Sequence, residues 1–599
     1  RGSLAADWAY WVCAYANRQH SLDKELVADP KQTSFFRALS LASGLLLVLD
    51  EQTPTTGPAT PFSRIWCGFE LSEAIRESEA RPIPFKLDIA ACRDGKAHVL
   101  TDGVAESDRI MRTQIRHHKV GCPAPRWFWA GQQSERQRDF PIENVRAGLC
   151  MKLETALASV EADRRRILNC IVGSSNLEAS PPLEHAEFDR INSKLRARLA
   201  ISIWRTLVEN GAVEEWGLPQ VLACSSARSV VLCFRSCQQF DDGELERLTS
   251  ALPRMVEVLD LDLAGSRTSD DGVVALARIL PLSIRNLRLD FGELGLTDVS
   301  MQALAAALPP DLQELDVSWA SAKITDVGLA TFAAHLPALL DLRLHLPFCL
   351  ATDSGFSSLA AYLPSSLRNL ELVLFGCSHL TNAGLASLSA RLPKGLRALT
   401  LYFPQTQVTT LGIAYLTMAL PAGLESLNLH VSECKVTDAT FALLVSGLPP
   451  SLLSLSLYAW SCQAVGDDSL ALLAAQLPVG LRKLVLDFAG TGVTDLGLAV
   501  LGSCLPSGLQ EFEMQRTDAA TSETVFQSLS DAQHQARCKA ERVDRQLARA
   551  RRQMAAMAKL HPVIVHYLEG CHESARGPPI SSEMLEAMFS KLGISPEQS

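Results

Sequence analysis

The chain has 599 residues, a net charge of -10 and 16 cysteines that show no paired spacing. That charge is mild for the length and excludes a surface built to bind polyanions throughout; the scattered cysteines point to a reducing compartment, read here as the cytoplasm, rather than a disulfide framework. The longest apolar runs, such as Gly44 to Leu49, are far too short to cross a bilayer, and no signal peptide is visible.

Residues 1–135 read as a small α/β domain, truncated at its amino terminus because Trp11 to Tyr15 already form a strand-like run. Phe35 to Leu41 suits a helix. Leu45 to Leu49 is a continuous apolar run of the buried parallel-strand type. Ser63 to Leu71 enters a second helix and Phe85 to Ala90 a further strand, and this alternation implies a parallel sheet covered by helices. The stretch from Phe35 to Ile75 resembles a Toll/interleukin-receptor (TIR) domain: helix, apolar strand, then a loop leading to S-x-W-C-x-x-E-L. Ser63, Trp66, Cys67, Glu70 and Leu71 fit, with Ile65 as one extra residue. The family's first strand would fall before Trp11, where little chain remains, and the loop from Glu51 to Phe62 departs from its pattern. The resemblance implies a module for signalling or self-association. As an alternative it implies an NAD-cleaving enzyme with Glu70 as the catalytic carboxylate and the rest of the chain as sensor, since a carboxylate beside a ribose steadies oxocarbenium-like charge as nicotinamide leaves. The plainer reading makes Trp66 and Cys67 core and Glu70 an exposed helix carboxylate.

Residues 136–221 read as a helical linker. One helix includes Ala162 to Leu168. A second spans Pro182 to Glu209, with Leu183, Phe188, Ile191, Leu195, Leu199, Ile203 and Leu207 at three- and four-residue steps, a stripe that packs on either the α/β domain or the first unit that follows. The Arg164–Arg166 triplet reads as a solvated face in preference to a phosphate site.

Residues 222–517 carry a repeat. Leu-Pro pairs start at Leu252, Leu280, Leu308, Leu336, Leu363, Leu392, Leu420, Leu448, Leu477 and Leu505, spaced 27 to 29 residues apart, which is the signature of a solenoid. After most pairs comes L-x-x-L-x-L, as in Leu367, Leu370 and Leu372, a short strand with one buried face. Then comes a helix start such as Ile324-Thr325-Asp326-Val327-Gly328-Leu329 or Val493-Thr494-Asp495-Leu496-Gly497-Leu498. There Thr accepts from orphan amides and Asp suits the helix dipole. One strand and one helix in 28 residues resembles the leucine-rich repeat family, in its cysteine-containing and ribonuclease-inhibitor-like branches. Cys349, Cys377, Cys434 and Cys462 recur in repeat phase and read as small plugs in a stacked turn, in place of a metal or redox site. An atypical first repeat begins at Val230, and Leu509, Phe512 and Met514 supply a last strand.

The expected fold class is therefore α/β: a leucine-rich horseshoe preceded by a small parallel-sheet domain and a helical linker. A helical tail, residues 518–599, follows. Between Asp531 and Leu560 lie eight Lys or Arg against three acids, a basic amphipathic helix that caps the array or forms a coiled coil, with membrane or RNA contact as an open alternative. His561, His566, Cys571 and His572 match no standard zinc spacing, and no metal is expected. No phosphate loop, H-E-x-x-H or G-x-S-x-G is present, so no cofactor is expected beyond NAD under the alternative reading, and no DNA partner. What remains is the concave face, where residues between the buried leucines point outward. The candidate ligand-binding residues are Arg288, Asp290, Arg343, His345, Tyr402, His430, Tyr458 and Asp487. The first half is charged, and Tyr402, His430 and Tyr458 are expected to form an exposed aromatic line for a protein or peptide. Phe291, Trp319, Phe403 and Phe488 should turn inward.

Overall fold

The computed structural model describes residues 28–51, 53, 57–81, 85–93, 96–100 and 140–515; the readings of Trp11 to Tyr15, of the basic segment 531–560 and of the cluster from His561 to His572 lie outside them. The described residues fall into two compact units, one reaching Cys233 and including Ser250–Val256, the other running from Phe234 to the end apart from that segment.

In the first unit, α1 (Ser34–Leu41) starts at Thr33, whose hydroxyl accepts from the Phe36 amide. Strand β1 (Gly44–Leu49) pairs parallel with β2 (Lys86–Arg93), joined through α2 (Ile65–Ala80). Strand β3 (Lys96–Leu100) then pairs antiparallel with β2, which corrects the expectation of a wholly parallel sheet. Only Asp94 and Gly95 separate the two strands, far too few residues for a parallel crossover. Among the described residues the strand order β1-β2-β3 leaves β1 at an edge. Its alternating burial, with Leu46 and Val48 56% and 58% exposed, also corrects its reading as a strand buried on both faces.

Four further α-helices belong to this unit: α3 (Ile142–Leu149), α4 (Glu161–Ile171), α5 (Ala186–Glu209) and α6 (Leu218–Ala223). Helix α5 buries the expected stripe from Phe188 to Leu207. Leu183 lies outside it and is exposed, because Pro181 and Pro182 delay the start until His185 caps the Glu187 amide. Arginines stitch the unit together by donating to backbone carbonyls: Arg81 to Ala42, Arg196 to Met151 and Arg198 to Leu87. Arg164 likewise holds the carbonyls of Glu154 and Ala156, while Arg165 and Arg166 both pair with Glu178. The arginine triplet is therefore neither a bare solvated face nor a waiting phosphate site.

The second unit is built on ten parallel strands, Val258–Asp262 to Glu511–Gln515, that lie side by side in chain order. Each repeat gives a five-residue strand such as Glu314–Ser318, Asp341–His345 or Asn369–Val373, then a turn and a helix such as Asp326–Ala334 or Asp353–Ala361. Neighbouring strands pair in strict register, so Leu315 lies opposite Leu342 and Asp316 opposite Arg343. Immediately after the strand every repeat places one residue in the left-handed region: Ser236, Gly265, Glu293, Ser321, Phe348, Gly376, Gln405, Glu433, Ser461 and Gly490. For a non-glycine residue this costs roughly 1 kcal/mol, offset here by an amide that extends the sheet, as when Phe348 donates to the Phe375 carbonyl at 2.7 Å.

A side-chain ladder ties each helix start to the next. Asp326 accepts from the Thr352 amide and hydroxyl, both at 2.7 Å, and from the Gly355 amide at 3.0 Å. Thr352 in turn accepts from the Ser354 amide at 3.2 Å. The same arrangement joins Asp270 to Thr297, Asp298 to Thr325, Asp353 to Thr381 and Asp467 to Thr494, whereas Asn382 accepts from the Thr409 amide but donates its Nδ2 to the Thr409 hydroxyl. Thr410 interrupts it: Thr437 donates instead to Thr440, whose hydroxyl meets Thr410 at 2.8 Å. The glycine two residues after Asp now has a reason. A Cβ on Gly355 would lie 2.6 Å from Asp326 Oδ1.

The coupling is measurable by chemical denaturation. Asp326→Ala should cost about 1–3 kcal/mol through lost capping and stranded donors. Gly355→Ala should also destabilise, although propensity alone favours alanine in a helix by about 1 kcal/mol. In the double variant the two losses should fall short of additivity, because the carboxylate that the methyl meets is gone; full additivity would contradict the ladder.

Candidate functional site

The middle residue of successive strands alternates in charge: Asp260, Arg288, Asp316, Arg343, Glu371. Register makes these side chains cross-strand neighbours, and they pair. Arg288 reaches Asp260 at 3.6 Å and Glu314 at 3.2 Å. Arg343 reaches Asp341 at 2.9 Å, Asp316 at 3.6 Å and Glu371 at 3.7 Å. His345 lies 3.3 Å from Glu371; burial works against its charged form, but Glu371 and Asp316 outweigh burial and the net shift of its pKa is upward. At the near end Arg235 bridges Asp262 and Asp290. Burial foremost, and Asp290 second, push the Asp262 carboxyl up to about 6 against the pull of Arg235. Of the expected ligand-binding residues, Arg288, Asp290, Arg343 and His345 are thus brought together on one half-buried strip.

Three of the other four depart from expectation. Tyr402 is half-buried, but His430, Tyr458 and Asp487 retain only 4% of their surface each. The expected exposed aromatic line is instead a closed stack, with ring centroids 4.4 Å apart from Tyr402 to His430 and 3.8 Å from His430 to Tyr458. In-register strands stand about 4.8 Å apart, so flat rings at equivalent positions fill the gap and cover each other. Desolvation drives the His430 pKa down to about 3 and shifts Asp487 upward. Phe291, Trp319, Phe403 and Phe488 are fully buried, as expected.

Two aromatic residues that strand patterning does not single out extend the stack toward solvent. Phe375 lies 6.2 Å from Tyr402, and Phe348 lies 5.0 Å from Phe375. Phe348 is 51% exposed and sits in the left-handed region at φ 60°, an unfavourable place for a bulky residue. Both lie just past the strand, where the L-x-x-L-x-L pattern has ended; the sequence signal is repeat phase, since Pro347, Phe375 and Pro404 occupy equivalent positions.

The repeat cysteines are free thiols. Cys377, Cys434 and Cys462 donate to the carbonyls of Leu346, Phe403 and Val431 in the preceding repeat, at 3.1, 3.3 and 3.4 Å, so they bond across the turn as well as filling it. Strand, left-handed turn, capped helix and stacked thiol, repeated in register, decide the architecture. The fold is a leucine-rich repeat solenoid. No protein-family model matches the chain and no curated protein matches it. Among solved structures, that of the Rad7 and Elc1 complex in yeast is similar over 70% of this chain and 96% of that one, at 16% identity and a TM-score of 0.34. The leucine-rich repeat-containing protein LegL7 from Legionella pneumophila is similar over 48% of this chain and 94% of that one, at 18% identity and a TM-score of 0.30. Among the described residues no helix is long and apolar enough to cross a membrane.

In the first unit Glu70 lies half-buried on α2, beside a core of Ile65, Phe69 and Leu71. Trp66 stacks on Phe35 at 5.4 Å and meets Phe69 edge-on at 6.2 Å. Desolvation lifts the Glu70 carboxyl to about 7. At neutral pH the group is then close to half-protonated, whereas steadying an oxocarbenium ion requires the anion.

Both titrations give tests. His430 has a folded pKa below its unfolded value, so the unfolded chain binds more protons between about pH 6.5 and 3; the stability that the neutral ring supports is complete above about 6.5 and lost as pH falls. His430→Phe should therefore lose less stability than wild type between about pH 7.5 and 5 in urea titrations. Glu70 has the opposite sign: burial makes the folded form bind more protons between pH 4.5 and about 7. Glu70→Gln should gain melting temperature over wild type progressively across that window and keep the gain above it. A lower melting temperature at about pH 8 would show that the anion is stabilised and would overturn this account of Glu70.

Proposed function

We propose that this chain is a non-enzymatic recognition scaffold that takes a protein or peptide on the concave face of its repeats. The observation that carries the proposal is the strip of Arg288, Arg343 and His345 held between acids of adjacent strands. Long charged side chains already fixed by cross-strand pairs lose little further freedom when a ligand binds. The contacts are exchangeable too: a partner offering its own charges replaces one set of half-exposed pairs by another. Next to the strip, Phe348, Phe375 and Tyr402 supply an accessible aromatic ledge, the kind of residue on which interface energy concentrates.

For the first unit we infer a signalling or self-association role, supported by the exposed Leu46 and Val48 of β1 and by its edge position among the described residues, since a sheet edge is a template for another strand.

Affinity capture from a cell extract tests the concave assignment. Three tagged full-length chains are compared: wild type, a concave variant Arg288→Glu with Arg343→Glu, and a convex control Arg278→Glu. Partners retained by wild type and the control should drop at least about tenfold with the concave variant, since reversing two charges in contact with a ligand costs more than about 1.4 kcal/mol. Equal capture by all three, with unchanged circular dichroism, would contradict the proposal.

A further inference from the structure

Repeat phase places cysteines at one position of the turns, Cys349, Cys377, Cys434 and Cys462, with Thr406 between the two pairs. The structure sets the first pair apart. The sulfurs of Cys349 and Cys377 lie 3.2 Å from each other. Cys434 and Cys462 also belong to adjacent repeats, but Cys462 Sγ lies 3.4 Å from the Val431 carbonyl and 3.7 Å from that of Cys434. Cys434 Sγ faces the Phe403 carbonyl and the Thr406 hydroxyl. The two pairs share a phase and differ in what their sulfurs meet.

The backbone beneath the first pair has the spacing that a disulfide needs. His345 and Val373 are register partners at the end of their strands. In the turn beyond, the Phe348 amide still donates to the Phe375 carbonyl at 2.7 Å, so the strand separation of about 4.8 Å carries into it. Disulfides span Cα separations of roughly 4.4–6.8 Å, and their sulfurs bond at about 2.0 Å. From 3.2 Å the sulfurs therefore need to approach by only about 1.2 Å. Loss of the thiol protons strands no acceptor. The Leu346 carbonyl takes the Cys377 proton at 3.1 Å but also accepts from the Cys349 amide at 3.2 Å. Access makes Cys349 the first to react: it keeps 3% of its surface and lies between half-exposed Phe348 and Leu350, whereas Cys377 is fully buried.

We propose that Cys349 and Cys377 form a peroxide-sensitive dithiol that closes into a reversible disulfide between adjacent repeats. The Cys349 thiolate attacks one oxygen of the peroxide and the O–O bond breaks. Cys349 becomes a sulfenic acid, and the departing hydroxide takes up the proton that the thiol gave. The Cys377 sulfur then attacks the Cys349 sulfur, the S–O bond breaks, and the departing oxygen leaves as water with the Cys377 proton. Two thiols and one hydrogen peroxide thus give one disulfide and two waters. A dithiol reductant reverses the bond by exchange. Where thiols are kept reduced such a bond is transient, which is the behaviour of a redox sensor. Its formation is independent of partner capture by the concave face.

The folded full-length chain is treated with hydrogen peroxide, alkylated in denaturant and digested with trypsin for non-reducing mass spectrometry. Residues 344–368 carry Cys349 and residues 369–391 carry Cys377, each as the single cysteine of its peptide. These two peptides should appear joined at least about tenfold more than those of Cys434 and Cys462, since thiols held in attack geometry gain a large effective concentration. Dithiothreitol should separate them, and peroxide treatment in urea should abolish the preference. Dimedone labelling of exposed Cys504 shows that the peroxide dose is sufficient. In Cys377→Ser, dimedone should label Cys349, because the sulfenic acid has lost its resolving thiol. Thr406 already places a hydroxyl at the equivalent position, donating to the Phe403 carbonyl at 2.9 Å, so the serine suits the turn. Cys349 and Cys377 left as free thiols while Cys504 is labelled would overturn the proposal. So would oxidation of Cys349 without the joined peptides, or joining of Cys434 to Cys462 in their place.

Discussion

The interaction on which the repeat unit depends is a carboxylate of one repeat placed on the helix start of the next. A helix leaves its first amides without internal partners, and here a Thr of its own repeat satisfies one while an Asp from the preceding repeat satisfies two more, as Asp326 does for Thr352 and Gly355. The bond is short in space and long in sequence, recurring at 26 to 28 residues. It fixes how far each repeat is rotated and translated relative to its neighbour. With the helices locked at their starts and the cysteine thiols bonded across the turns, the strands have one register available to them.

That register explains both halves of the concave face. Equivalent residues are forced side by side at strand spacing, and what they do depends on their size and charge. Small or alternating charged residues, from Asp260 to Glu371, form cross-strand pairs that keep their polar ends near water. Rings at Tyr402, His430 and Tyr458 fill the spacing and become a second, outward core. One geometric rule thus makes a strip of paired charges at one end and a closed ring stack at the other. The buried ring of His430 is held neutral as a consequence.

The period, the strands, the threonine caps and the inward aromatics were legible in the sequence, because each is a local pattern repeated many times. The carboxylate ladder was only half legible. Asp beside Thr reads as a favourable charge at a helix start, but its acceptor role toward the next repeat needs the repeats to be stacked. The glycine of Thr-Asp-x-Gly was silent for the same reason, since what a Cβ would strike belongs to another repeat. At the site, the strand pattern says which residues face outward; it says nothing of whether neighbours leave them exposed. Hence Arg288 and Arg343 fall where expected and His430, Tyr458 and Asp487 do not. In the first unit, the antiparallel pairing of β2 and β3 was not read, although Asp94-Gly95 between them is a turn signal, because the strand–helix alternation before it points to a parallel sheet.

The ladder is tested most directly by native-state hydrogen exchange in an Asp353→Ala chain. Asp353 accepts the Thr381 amide at 2.8 Å and its hydroxyl at 2.6 Å. If the carboxylate sets the stacking of repeats, protection should fall at Thr381 and also at Thr352, Thr409 and the strands Asp341–His345 and Ala398–Tyr402, fading with distance along the array. Loss confined to Thr381, with neighbouring repeats as protected as in wild type, would mean that apolar packing alone holds the register and that the ladder does not organise the face.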